Sequence, residues 1–210
     1  MKQITRSKIR SEVFDSLAEK INHLSPKTIA IMKKQFFLFV LMLQPLVASA
    51  DTVEIDGIYY NLNSEAKTAE VTSADKSSEA VVIPKSVVSK GVTYSVTSIG
   101  ERAFSSCNNL TSITIPSSMT DIGEYAFQNC SSLTSVNISD LEAWCKISFQ
   151  FSPSSPYHLF LNGDEIKDLV IPNSVISIGD GAFNRCCGLT SITIPNSVTY
   201  IDEHAFMYCI

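Results

Sequence analysis

Histidine occurs three times and tryptophan once in the 210 residues, and no two cysteines have the C-x-x-C spacing. Beyond residue 50 only His158 and His204 remain, which leaves too few ligands for a His/Cys metal site. No serine sits in a G-x-S-x-G elbow. The acid pairs Asp164/Glu165 and Asp202/Glu203 fall in turns, where solvated charge accounts for them. No catalytic constellation emerges, so neither an enzyme nor a cofactor is expected. The apolar, uncharged stretch from Gln35 to Ala50 is 16 residues and contains Pro45. A membrane-spanning helix requires about 20, so no permanent span is expected after processing.

Positive charge is also scarce where it matters. Residues 51–210 carry 8 Lys+Arg against 18 Asp+Glu, a net −10, whereas residues 1–50 carry 8 against 3. A −10 body lacks the electrostatic footprint for nucleic acid or anionic lipid. The basic part centres on MKKQFFLFVLMLQPLVASA, 32–50, with the Lys33-Lys34 pair, an apolar run and Ala48-Ser49-Ala50 before Asp51. This is the layout of a cleavable signal peptide. No cysteine follows the run, which gives no support to lipoprotein attachment. The plain account of residues 1–31 is that translation starts at Met32. The alternative is a cytoplasmic helix on an uncleaved anchor, since Val13, Phe14, Leu17, Ile21 and Leu24 share one helical face.

What is abundant is repetition. AFSSCNNLTSITIP at 103–116 returns as AFQNCSSLTSVNIS at 126–139 and AFNRCCGLTSITIP at 182–195, and AFMYC at 205–209 opens another copy. Phe104, Cys107, Leu110, Ile113 and Ile115 recur 23 residues later as Phe127, Cys130, Leu133, Val136 and Ile138. The set returns as Phe183, Cys186, Leu189, Ile192 and Ile194, and Phe206 and Cys209 follow after another 23. Self-similarity at this period predicts a solenoid. Ala103, Phe104 and Cys107 have helical spacing; Ile113 and Ile115 alternate as in a half-buried strand. Each unit therefore reads as a short helical turn running into a strand, which Pro116 ends. One unit cannot bury its own apolar face, so stacked units must share a core.

The predicted fold is an α/β repeat solenoid: a leucine-rich-repeat-like right-handed coil with a parallel β-sheet and short helical turns, preceded by a β-rich N-terminal cap. The cap covers 51–98, with turns at Asp56-Gly57 and at 89–91. The repeats cover 99–210, with a lengthened unit at about 140–177. There IKDLVIP, 166–172, aligns with LTSITIP, Asn162-Gly163 reads as a hairpin turn, Ser152 to Pro156 as a loop, and Trp144, Phe149 and Phe151 as packing residues. The last copy stops after its helical half. An open strand edge at 191–194 is therefore expected, and with it end-to-end self-association or fraying.

The units IGERAFSSCNNLTSITIPSSMTD and IGDGAFNRCCGLTSITIPNSVTY resemble the BspA-like leucine-rich repeats of bacteria, also seen in treponemal surface proteins. The front segment and the Trp144-Cys145 insert are similar to their counterparts in that family. The resemblance implies a secreted or cell-surface protein that acts in adhesion to host or matrix proteins, or to other bacteria. Ser139 departs from the pattern, standing where proline is usual, and Cys187 doubles the repeat cysteine.

Cys107, Cys130, Cys186 and Cys209 read as buried thiols in a small inward slot. In an exported chain the alternative is disulfides, for which neighbouring coils offer 107 and 130; Cys145 and Cys187 are the stronger candidates for bridging. Ser112 and Thr114, Ser135 and Asn137, Lys167 and Val170, and Ser191 and Thr193 are the expected outward strand positions. They form a shallow, hydroxyl-rich, uncharged strip suited to a protein or glycoprotein surface. Three functions follow: a secreted binding or adhesion module, a truncated structural paralogue without a ligand, and a secreted enzyme or inhibitor. The first accords best with these residues.

Overall fold

The computed structural model describes residues 51–149 and 155–209. The expected leader and signal peptide, Phe151 and most of the 152–156 loop lie outside the described residues.

The chain opens with β1 (Asp51–Ile55) and β2 (Ile58–Asn63), an antiparallel hairpin. Asp56 and Gly57 at its tip both have positive φ, 52° and 75°, as a type I′ turn demands. β3 (Thr68–Ala74) continues antiparallel to β2. A second hairpin joins β5 (Ser86–Ser89) to β6 (Val92–Ile99) through Lys90 and Gly91. β3 then pairs with β6 in parallel. Residues 51–99 thus consist largely of strands, and β6 both ends this segment and starts the first parallel ladder. That ladder continues through β8 (Asp121–Ile122) to β10 (Ser148–Phe149).

A second parallel ladder carries the longer strands: β4 (Ala80–Val82), β7 (Ser112–Ile115), β9 (Ser135–Ile138) and β11 (His158–Leu161). Ser112 faces Ser135 and Ile113 faces Val136, so the 23-residue step in the sequence is one turn of the coil. Ile113 and Val136 are fully buried while Ser112, Thr114, Ser135 and Asn137 stay partly exposed.

The lengthened unit differs from expectation. Its strand slot is filled twice. β11 stacks on β9 in the regular register, then turns at Asn162 and Gly163 into β12 (Asp164–Glu165), which closes that sheet antiparallel. The segment aligned with LTSITIP instead begins a separate two-stranded sheet, in which β13 (Asp168–Val170) pairs with β15 (Ser191–Thr193). β14 (Ser177–Ile178) and β16 (Tyr200–Ile201) form another pair.

The segments expected as short helical turns are chains of tight turns, not α-helix. Arg102, Ser106, Tyr125, Asn129, Arg185, His204 and Tyr208 all have φ between 55° and 62°. They occupy two slots that recur once per coil. A left-handed residue other than glycine costs roughly 1–2 kcal/mol, so something must offset it. The hydrogen bonding supplies the reason. Ala103, Ser105 and Cys107 donate locally to Gly100, Arg102 and Phe104, whereas Arg102, Phe104 and Ser106 donate to Glu124, Ala126 and Gln128 of the next coil. An α-helix directs its N–H groups beyond the first turn to its own carbonyls, so those donors are lost to the neighbour.

The one described α-helix, α1 (Leu141–Lys146), lies in the lengthened unit and is N-capped by the Asp140 side chain, which accepts from Ala143 N–H. Here the indole Nε1 of Trp144 donates to the Ala182 carbonyl at 2.9 Å. In the regular coils the equivalent carbonyls, Ala126 and Ala205, accept the backbone N–H of Phe104 and Phe183. A side chain thus replaces a backbone donor that a helix cannot spare.

Phenylalanines run through the core as stacked pairs: Phe104 on Phe127 with ring centroids 5.1 Å apart, and Phe183 on Phe206 at 5.2 Å. Each fully buried ring or aliphatic side chain contributes about 1.5–3 kcal/mol. Leu110 and Leu133 are likewise buried, but Leu189, Phe206 and Cys209 of the last two coils are only half-buried. Among the described residues β15 pairs with β13 alone, and Ile192 and Ile194 are 41% and 42% exposed.

Candidate functional site

All six cysteines are free thiols, including Cys145 and Cys187, the two expected as the stronger candidates for bridging. The ladder thiols have a structural task. Cys130 Sγ donates to the Phe104 carbonyl at 2.9 Å and Cys209 Sγ to the Phe183 carbonyl at 2.8 Å, each reaching back one coil. Burial pushes the Cys130 thiol up to about 11 and those of Cys145 and Cys186 to about 12. Such groups are poor nucleophiles, because reactivity belongs to the thiolate.

The solvent face of the second ladder brings several expected strip residues together. Ser112, Ser135 and His158 form one row, and Thr114, Asn137 and Phe160 the next. Asn137 Nδ2 bridges Ser112 Oγ at 3.2 Å and Ser135 Oγ at 3.4 Å. The side-chain amide is therefore oriented by the hydroxyls of two coils.

His158 and Phe160 were missing from the expected strip. Adding the 23-residue step to Ser135 and Asn137 points to both of them, but the resemblance of 166–172 to LTSITIP drew the alignment away. His158 Nδ1 lies 2.5 Å from Glu165 Oε1, and Lys167 Nζ lies 3.9 Å from Glu165 Oε2. Gly188 adjoins this pair: a Cβ there would sit 2.9 Å from both His158 Nδ1 and Glu165 Oε1.

Two corrections concern the second half of the strip. Lys167 precedes β13, and the outward position belongs to Asp168, opposite Ser191. That half is also not uncharged. Asp168 Oδ1 accepts from Ser191 Oγ at 2.6 Å and from Thr190 Oγ1 at 2.9 Å. These two hydroxyls, Ser191 foremost, hold its carboxyl below the usual range. Val170, Ser191 and Thr193 are exposed. The strip is thus two patches, on β7–β9–β11 and on β13–β15, because no strand pairing joins the two sheets.

The column of turns presents a different surface. The Arg102 guanidinium lies over the Tyr125 ring at 5.0 Å, and that of Arg185 over Tyr208 at 4.8 Å. Both pairs link left-handed positions of successive coils. Among the described residues no three His, Cys, Asp or Glu side chains group as metal ligands, and no helix is long and apolar enough to cross a membrane.

Residues 83–210 match the family described as BspA type leucine rich repeat region, in six copies. No curated protein matches the chain. Among solved structures it is similar to a leucine rich cell surface protein from Faecalibacterium prausnitzii, with 30% identity and a TM-score of 0.47, over 76% of this chain and 46% of that one. It is also similar to a leucine-rich repeat protein from Bacteroides capillosus, with 30% identity and a TM-score of 0.42, over 72% of this chain and 87% of that one. The Treponema pallidum leucine-rich repeat protein shares 23% identity, with a TM-score of 0.42, over 71% and 80% of the two chains. The chain thus spans about half the length of the Faecalibacterium protein, 46%. With well over half of its residues matched by the family, and the repeat register visible in its strand pairing, the chain belongs to the BspA-type leucine-rich repeat family.

Proposed function

We propose that this chain is the repeat body of an exported bacterial surface protein that binds proteins or glycoproteins of a host, a matrix or another bacterium. The observation that carries the reading is the in-register face of β7, β9 and β11, where Ser112, Thr114, Ser135 and Asn137 repeat at matching positions of successive coils. A solenoid face of this kind offers many weak hydrogen bonds spread over several coils, and its hydroxyls and amide suit backbone or glycan groups. Export is supported by the 32–50 signal-like segment and by Asp51, which follows Ala48-Ser49-Ala50 and opens β1. In this reading the mature protein begins at Asp51 and lacks residues 1–31, which mass spectrometry of the exported form tests.

Binding is tested by capture on immobilised matrix protein. A double substitution, Ser135→Lys with Asn137→Lys, places two solvated cations on the face without touching the core. Capture should fall about tenfold or more, the effect of losing two or three hydrogen bonds. Unchanged capture by a folded double variant would move the contact off this face.

A further inference from the structure

The two ladders are finished differently at their N-terminal ends. The first is covered, since β3 pairs along β6. Among the described residues the second is not, because β4 is the last strand of its sheet. Successive residues of a strand aim their backbone groups at opposite edges. Glu79 accepts from Ser112 N–H and Ile83 N–H donates to Thr114, so Glu79, Val81 and Ile83 serve β7. The N–H and C=O groups of Ala80 and Val82 therefore face the open edge. Val82 is 66% exposed.

Beside this edge lies a cavity of about 300 Å³. The tip of the β1–β2 hairpin forms its far wall, through Ile55, Gly57 and Ile58, with Tyr60 behind. Ala80 and Val82 form the near wall. The surface is mostly apolar, and among the described residues Asp56 is the one charged residue lining it. An open strand edge with an apolar cavity alongside is the arrangement by which strand addition recognises extended peptides: main-chain bonds supply affinity and the cavity selects a side chain.

We infer that the β4 edge and the cavity beneath the β1–β2 turn form a docking site for an extended peptide segment of a partner protein. The segment pairs with Ala80 and Val82, inserts an aliphatic side chain between the edge and Ile58, and sets a basic residue against Asp56. Three observations select this occupant. Alternating free donors and acceptors match a peptide backbone, the cavity wall matches an apolar side chain, and both Asp56 and the net −10 of residues 51–210 favour a cationic partner. The short edge, followed by Pro84, limits pairing to a few residues and disfavours indiscriminate aggregation. The inference deepens the protein-binding reading above and rests on it, but it names a different surface from the β7–β9–β11 face.

The probe is the labelled peptide acetyl-Lys-Val-Thr-Val-Thr-Lys-amide, titrated into the purified chain and followed by fluorescence anisotropy. Saturable binding is expected. Val82→Pro removes an edge N–H that no β7 bond uses, and should weaken binding about tenfold. A peptide N-methylated at alternate amides should lose binding to the unaltered protein to the same degree, which keeps the test valid if Val82→Pro misfolds. Asp56→Asn retains the turn, since Asn-Gly also suits type I′, and should weaken binding about threefold at low salt. No saturable binding, or equal binding of the N-methylated peptide, overturns the site. Matrix capture separates the two readings: lost peptide binding with intact capture defeats the edge site alone. Intact peptide binding with capture unaffected by the Ser135/Asn137 double variant defeats the strand-face reading alone.

Discussion

LTSITIP occurs twice, at 110–116 and at 189–195, with the same seven residues. In the first copy Ile113 and Ile115 are 0% and 1% exposed; in the second Ile192 and Ile194 are 41% and 42% exposed. Local sequence is constant, so the difference comes from neighbours. The first copy lies between β4 and β9, whereas the second has β13 on one side only among the described residues. Burial in this fold is a property of the stack, and a repeat residue has no stability of its own apart from its place in it.

The sharpest way to break that comparison is through phenylalanine. Phe127 is buried and stacked on Phe104, while Phe206 stacks on Phe183 but remains half-buried. Phe127→Ala should cost about 3–5 kcal/mol, and Phe206→Ala clearly less, read as urea midpoints at constant m. Equal losses would show that the last coil is as enclosed as the interior. Next comes the identical heptapeptide: Ile113→Ala should cost about 2–5 kcal/mol, and Ile192→Ala under about half of that, since much of its surface already meets water.

The buried thiols add a pH dependence to the stack. Burial raises the folded-state values of Cys130 to about 11 and of Cys186 to about 12, from an ordinary 9.0. The unfolded chain therefore releases these protons first as pH rises. Their contribution is complete below pH 9 and is lost progressively between there and pH 11–12. A urea midpoint steady at neutral pH should decline above pH 9, and Cys130→Ala should flatten part of that decline despite its own cost. The smallest effect belongs to the turn column. Removing the Arg102–Tyr125 contact with Arg102→Gln should cost about 0.5–1 kcal/mol, more than the same substitution at a surface arginine without a ring beneath it.

Much of this architecture was legible in the chain. The 23-residue step gave the strand register directly, because β7 and β9 differ by that step at every paired residue. Asp56-Gly57, Lys90-Gly91 and Asn162-Gly163 announced three hairpins, since few pairs tolerate two successive positive φ values. The turn column was misread for a physical reason. Ala103, Phe104 and Cys107 are spaced as on a helix, and only the presence of a next coil makes alternate inter-coil donation preferable to helical bonds. The lengthened unit was misread because two segments competed for one slot. HLFL carries the period and IKDLVIP carries the motif, and each forms a strand in a different sheet. The strip inherited that error at Lys167 and in the omission of His158 and Phe160.

The Trp144–Ala182 hydrogen bond has a consequence for unfolding cooperativity. Elsewhere adjacent coils are joined by ladders of backbone bonds along two sheets. Among the described residues the long-strand ladder is interrupted between the coil of α1 and the coil of Phe183, and the contacts there include this indole bond, Gly179 N–H to the Cys145 carbonyl, Ser174 Oγ to Glu142 Oε2, and the bonds of Tyr157 with Arg185 and Cys187. In a linear array the weakest interface sets where melting uncouples. Trp144→Phe keeps most of the apolar surface and removes the donor, so it should turn one calorimetric transition into two, the coils after residue 168 melting first. That outcome would identify the tryptophan as a coupling between two unequal halves of the stack.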